Sequence, residues 1–379
     1  MEIIARILII TLTSGLLFQS NSLLANGKWK EFTKVVEKEH TIGQSGELEI
    51  ESKYGNINIS TWDKETVLVK AVITVESKSE EEASELFEFI DIEFLEGTDY
   101  LKCVTRNSAQ ENYSWKDYLP WNISSYKPLE YKIEYTVQMP HGADLKLENK
   151  HGNIGLTALG GSAVIEQKYG NLSAETVEGD MKLYLSHGNG YVDSVNDFKG
   201  ELRYSKFTLN KAENTQLESR YSKIEIKEMK TLRLESRYDN FELGKVDELT
   251  GDCRYSDFKI GEIDRITIDA AYSNFTIEHL RESVNADLRF GDFIVRDLEN
   301  DFKEVTITGS HTDVDIDIDD STEYNLDLEG EHLSISEKLF KLKHGVYKSA
   351  NELVIKTKEK ALNRPRIKAK MQHGSFKVE

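Results

Sequence analysis

Proline is scarce in this 379-residue chain, with only Pro120, Pro128, Pro140 and Pro365. None falls between residues 141 and 364, so no residue there is barred from donating to a backbone hydrogen-bond ladder. Cysteine is scarcer still. Cys103 and Cys253 lie far apart and form no CxxC pair, which argues against a disulfide framework and a cysteine zinc site. Basic charge is the minority sign, 48 Lys and Arg against 67 Asp and Glu, for a net charge of −19. Such a surface repels phosphate backbones and anionic membranes, which sets nucleic acid aside as a partner. No GxSxG, HExxH or P-loop occurs.

Long apolar runs are also missing. The longest, residues 7–18, is interrupted by Thr and Ser and is too short for a membrane span. With Arg6 before it and Ser22-Leu23-Leu24-Ala25 after it, residues 1–25 read as a secretory signal peptide. The chain is therefore expected to be exported to the periplasm, cell surface or medium, with no stable membrane insertion after cleavage. No cysteine follows to carry a lipid anchor.

What the chain does have is a beat. Lys168-Tyr169-Gly170-Asn171 recurs as Arg203-Tyr204-Ser205-Lys206, Arg220-Tyr221-Ser222-Lys223, Arg237-Tyr238-Asp239-Asn240, Arg254-Tyr255-Ser256-Asp257, Ala271-Tyr272-Ser273-Asn274 and Arg289-Phe290-Gly291-Asp292. His151 and His187 hold the same aromatic slot. The slot falls at 151, 169, 187, 204, 221, 238, 255, 272 and 290, in steps of 18, 18, 17, 17, 17, 17, 17 and 18. A fixed short period marks stacked repeats, each unable to bury its apolar face alone.

Within one repeat, Leu232, Leu234, Ser236 and Tyr238 alternate with Arg233, Glu235 and Arg237, a strand with one buried and one wet face. Asp239-Asn240 suits a corner. Phe241 and Leu243 form a second strand, Gly244 a second corner, and Val246 points inward. The reading is an all-β, single-stranded β-helix or β-solenoid with rungs of about seventeen residues. Its interior is expected to hold an aromatic column through Tyr238, a Phe/Ile/Leu column, and a small-residue column of Ser219, Ser236, Cys253 and Ala270.

Two outward rows follow from the same register. One carries Glu201, Glu218, Glu235, Asp252, Asp269 and Asp287, and the other Arg203, Arg220, Arg237, Arg254 and Arg289. Like charges stack along each row while opposite charges face each other across the pair. Asp313, Asp315, Asp317 and Asp319 would suit calcium. Alternation with Val314, Ile316 and Ile318 explains them equally as the wet side of a strand.

The flanking regions differ. Residues 26–140 carry strand patterning, an early motif copy at Lys53-Tyr54-Gly55-Asn56, and one short helix expected over 79–90 behind a Ser79/Glu82 capping box. Strands are expected near 90–104 and 129–139. Between them lies a loop rich in aromatics, where Trp115, Tyr118, Trp121 and Tyr126 are candidate partner-binding residues. The same loop could instead cover an end of the stack. Residues 141–340 form the repeats, and residues 341–379, with an echo at Gln372-His373-Gly374, are expected to close the other end.

Ser52-Lys53-Tyr54-Gly55-Asn56-Ile57, Trp62-Asp63, Tyr135-Thr136-Val137-Gln138-Met139-Pro140 and Lys150-His151-Gly152-Asn153-Ile154, in that order, resemble the bacterial putative-adhesin family. The resemblance covers roughly residues 40–300. It implies an exported β-solenoid of the cell envelope and supplies no catalytic residues.

The functional expectation is a non-catalytic adhesin-like protein binding a glycan or an envelope protein, with no cofactor and no metal. The alternative is an envelope scaffold. A polysaccharide-active enzyme is the third reading, disfavoured because such chemistry needs convergent carboxylates rather than ladders.

Overall fold

Alternating sequence becomes strand almost throughout the computed structural model of the protein. The structure describes residues 29–107, 131–341, 344–349, 351–357 and 363–379. The chain divides into two units, one of residues up to 143 with 149–155, the other of 144–148 with 156–379.

The first unit contains β1 (Lys30–Thr41), β2 (Glu47–Lys53), β3 (Gly55–Trp62), β4 (Thr66–Ser77), α1 (Glu80–Glu88), β5 (Ile90–Gly97), β6 (Tyr100–Asn107) and β7 (Tyr131–Pro140). β4 pairs antiparallel with both β1 and β7, and β7 runs parallel to β3. Ile57, Val69, Ile73 and Val137 are completely buried between these strands. The helix starts where the capping residues place it. Ser79 Oγ accepts from the Glu82 N–H, and the Glu82 carboxylate accepts from the Lys78 N–H. Ala83 and Phe87 form its buried face.

β8 (Asp144–Lys150) and β9 (Ile154–Leu156) belong partly to each unit. The second unit continues with β10 (Ala163–Lys168), β11 (Leu172–Val177), β12 (Met181–Ser186), β13 (Asn189–Arg203), β14 (Lys206–Arg220), β15 (Lys223–Arg237), β16 (Asn240–Arg254), β17 (Asp257–Ala271), β18 (Asn274–Leu298) and β19 (Glu304–Ile318). From β12 to β19 each strand pairs in parallel with the next. This is the β-solenoid, one strand-run per rung.

The ladder between β15 and β16 skips Gly244 and Asp247, which divides the rung into three straight pieces, 240–243, 245–246 and 248–254. Gly244 is needed at its corner, since a Cβ there would sit 2.3 Å from the Lys227 carbonyl oxygen. Phe207, Ile224, Phe241, Phe258, Phe275 and Phe293 stack as one interior column, and Leu209, Ile226, Leu243, Ile260 and Ile277 as another. Burying each such side chain is worth about 1.5–3 kcal/mol. Cys253 lies fully buried in the small-residue column, where burial pushes its thiol well above its usual range.

At the C-terminal end the order in space departs from the order in sequence. β20 (Asn325–Ile335), α2 (Glu337–Lys341), β21 (His344–Lys348), β22 (Glu352–Thr357) and β23 (Arg366–Val378) complete the unit. β23 lies between β19 and β20, parallel to both. β22 then pairs antiparallel with β20, and β21 with β22. The last segment thus takes a place inside the stack, and the covering falls to the β21–β22 hairpin.

Candidate functional site

The expected inward Tyr column is overturned. Tyr204, Tyr221, Tyr238, Tyr255 and Tyr272 are 46–56% exposed, and each has φ between 51° and 60°. A left-handed residue ends the alternation, so the strand stops at Arg237 and Tyr238 swings outward instead of following Ser236 inward. The inward position passes to the next residue. Ser205, Ser222, Asp239, Ser256 and Ser273 are all buried. Every aromatic slot of the motif takes the same left-handed conformation, from Tyr54 in the first unit to His373 near the C-terminus.

Left-handed backbone costs an L-residue about 1–2 kcal/mol, which is why glycine or asparagine usually takes it. Here the rings offset the cost by stacking. In the second unit Tyr169, His187, Tyr204, Tyr221, Tyr238, Tyr255, Tyr272, Phe290, His311, His373 and His332 form one unbroken pile. Centroids lie 4.8–5.0 Å apart, and from Tyr169 to Phe290 the planes agree within 9°. Each aromatic contact is worth about 0.5–1.5 kcal/mol. In the first unit Tyr54 and His151 stack in the same way at 5.0 Å.

His311 and His332 both occupy the aromatic slot without touching each other. His373 of the inserted β23 stands between them, 4.8 Å from one and 4.9 Å from the other.

Beneath the pile runs a hydroxyl ladder. The Ser205 N–H donates to Ser222 Oγ, the Asp239 N–H to Ser256 Oγ, and the Ser256 N–H to Ser273 Oγ. Asp239 is the exception in this row. Its buried carboxylate accepts from Ser219 Oγ at 2.7 Å, the Ser222 N–H at 2.7 Å, Ser236 Oγ at 2.8 Å and the Arg237 N–H at 3.0 Å. Burial raises its pKa above the ordinary aspartate value, and the four donors only partly pull it back.

A raised carboxyl pKa means that the folded state holds the proton more tightly, so stability falls as pH rises through that pKa. Asp239→Ser is therefore expected to stabilise the protein at pH 7. The new hydroxyl would take the place that Ser256 holds one rung on, where it lies 2.7 Å from Ser236 Oγ. Melting of both proteins between pH 3.5 and 7 checks this, and a gap that does not shrink toward pH 3.5 would contradict it.

The two outward rows are where the register places them. Glu201, Glu218, Glu235, Asp252, Asp269 and Asp287 are consecutive partners, as are Arg203, Arg220, Arg237 and Arg254. Cross-row pairing is partial. Arg254 lies 3.1 Å from both Asp252 and Asp269, and Arg289 lies 2.8 Å from Asp269. Glu218, Arg220, Glu235 and Arg237 form no ion pair among the described residues, and they line a shallow depression with Glu201 and Arg203.

Asp313, Asp315 and Asp317 face away from the buried Val314, Ile316 and Ile318. No group of three or more His, Cys, Asp or Glu is placed to hold a metal ion among the described residues. Trp115, Tyr118, Trp121 and Tyr126, like residues 1–25, lie outside the described residues.

Solved structures with similar chain traces include a putative cell adhesion protein from Clostridium sporogenes, at 10% identity over 91% of this chain and 99% of that one, TM-score 0.17. A putative adhesin from Parabacteroides distasonis follows, at 10% identity over 75% and 93%, TM-score 0.27. The likeness is to putative adhesins. A putative lipid binding protein from Parabacteroides distasonis is also similar, at 14% identity over 91% and 96%, TM-score 0.26. No family model and no curated protein matches the chain. At these identities and TM-scores no residue role transfers, and the chain is understood from its own surface.

That surface shows what period-two reasoning misses. The exposed Tyr ladder is invisible to alternation, because Tyr238 sits two residues after the buried Ser236. The usable signal is the small residue after each aromatic, Gly170, Ser205, Ser222, Ser256, Ser273 or Gly291. It marks the true inward position.

Proposed function

We propose that the protein is an exported, adhesin-like binding protein without catalytic activity, and that an extended glycan lies along its aromatic ladder. The observation that carries this reading is the exposed pile of left-handed aromatic residues on successive rungs. Strain and stacking are of similar size, so Tyr gains the fold little over Gly at these corners. Its recurrence is accounted for by what the exposed edges touch.

Within the pile each ring face is covered by its neighbours, so a sugar cannot stack flat on it. The ladder instead offers phenol edges at rung spacing. A hydroxyl-rich chain can hydrogen-bond to such a row at several rungs, and weak contacts then multiply. The acidic groups run in rows and do not converge, which supports binding without chemistry. Export rests on the leader pattern of residues 1–25. No helix among the described residues is long and apolar enough to cross a membrane.

The test is a broad glycan array with three proteins, the wild type, a Tyr204→Gly/Tyr221→Gly/Tyr238→Gly variant, and a Trp115→Ala/Trp121→Ala variant. The expected result is a saturable signal that the triple glycine variant loses by at least tenfold, with Tm retained within a few degrees. Loss only in the tryptophan variant would move the site to residues 108–130. No signal from folded wild type would sink glycan binding in favour of the envelope-scaffold alternative.

A further inference from the structure

Two flanks of the second-unit rungs carry charge in opposite styles. On one, opposite signs meet across most neighbouring rungs. Lys211 partners Glu228, Lys245 partners Glu262, and Lys230 lies 2.9 Å from Glu213. Arg265 reaches Glu248 on one side and Glu282 on the other. Alternation is the arrangement that cross-strand electrostatics favours, and like charges directly opposite are destabilising. On the other flank the rows of Glu201 to Asp287 and Arg203 to Arg254 stack like on like, the basic row being interrupted by Ala271 before it resumes at Arg289. Their central members Glu218, Arg220, Glu235 and Arg237 are exposed and without an ion pair among the described residues. A chain able to set opposite signs together on one flank has left the middle of the other uncompensated.

We infer that this flank is an interface for a second copy of this chain, laid alongside in the same direction. A partner that satisfies it must present both signs, in parallel rows, at the rung spacing of about 4.8 Å. A second copy does so by construction, and its register never drifts.

The direction follows from symmetry. A two-fold axis parallel to the stack exchanges the rows, so the acidic row of one copy faces the basic row of the other, rung for rung. A two-fold axis across the stack lays acidic on acidic and basic on basic. Only the parallel pair is complementary.

Six rungs by five residues of strand measure about 29 Å by 17 Å, on the order of 500 Å² per copy. That is below the roughly 800 Å² per partner of a standard stable interface. The contact is therefore weak and salt-sensitive, suited to many copies crowded on one surface. This goes beyond glycan binding, which uses the neighbouring ladder.

Sedimentation velocity of the purified chain tests it. The wild type is expected to dimerise at low salt, with the dissociation constant rising at least tenfold in 0.5 M NaCl by screening, on the scale expected for exposed charge pairs. A Glu218→Arg/Glu235→Arg variant and an Arg220→Glu/Arg237→Glu variant should each stay monomeric, and their equimolar mixture should recover the wild-type dimer within about threefold, since the exposed pairs re-form across the interface.

These variants lengthen a like-charged patch, so a third guards against misfolding. Glu218→Arg/Arg220→Glu introduces alternation at unchanged net charge, and should pair with itself but not with wild type. A wild type monomeric at the highest concentration, dimerisation unaffected by the substitutions, or a folded mixture that stays monomeric would each overturn the inference. Direction is read by a nitroxide on Thr308→Cys, the exposed partner of Asp287 one rung beyond the patch, which labels alone because Cys103 and Cys253 are buried. One short label-to-label distance supports the parallel pair, and a long one overturns it.

Discussion

Removing residues 366–378 is expected to unfold the C-terminal end of the stack back to β19 and no further. β23 supplies Ile367, Ala369, Met371, Phe376 and Val378 to the interior. Four of these are large enough to count, for on the order of 6–12 kcal/mol of burial before chain entropy is returned. β23 is also the partner on which β20 rests, through ten register pairs from Asn325 to Ile335. Without it, β20 and the β21–β22 hairpin lose their seat together. A stack of repeats is stabilised by nearest neighbours, so rungs far from the break keep their own interfaces. Hydrogen exchange with mass spectrometry would show the outcome as lost protection over 325–357 and retained protection over 189–298. Retained protection in both regions would mean that β20 can close directly on β19.

A charge in the phenylalanine column should be more damaging. Phe258 is 2% exposed, with ring centroids 4.6 Å from Phe241 and 4.5 Å from Phe275. Phe258→Asp removes an aromatic side chain from two stacks, opens a cavity, and places a carboxyl where no donor awaits it. The sum is about 5 kcal/mol or more. Phe258→Leu is the control, because Ile224 already fills the same column two rungs away. It should cost about 1 kcal/mol. Urea melts followed by circular dichroism would separate the two. Equal midpoints would show that this column is not the core of the rung.

The beat of 17 residues carried the architecture because each inward position is repeated by residues of the same kind. Phe241, Leu243, Val246, Leu249 and Cys253 all point where alternation puts them. Two things escaped. Alternation assumes one backbone conformation, and a single left-handed residue reverses it, so alternation puts Tyr238 inside and reads Asp239 only as half of a corner. The second is order. Linear reading makes His332 the successor of His311, whereas the motif echo at His373 belongs between them. An echo reveals membership in the stack but not rank within it. The charge rows were fully legible, yet which of their members pair across depends on side-chain reach, and among the described residues only Arg203, Arg254 and Arg289 pair with the acidic row.

The insertion of β23 between β19 and β20 also fixes a schedule. Up to β19 every rung can settle on a predecessor that the ribosome has already made. β20 cannot, because the strand on which it rests is encoded 41 positions later, as the pairing of Asn325 with Arg366 shows. Vectorial zippering must therefore pause at an open edge on β19. The native neighbours of β19 and β20 become available only once residues 366–378 have been made.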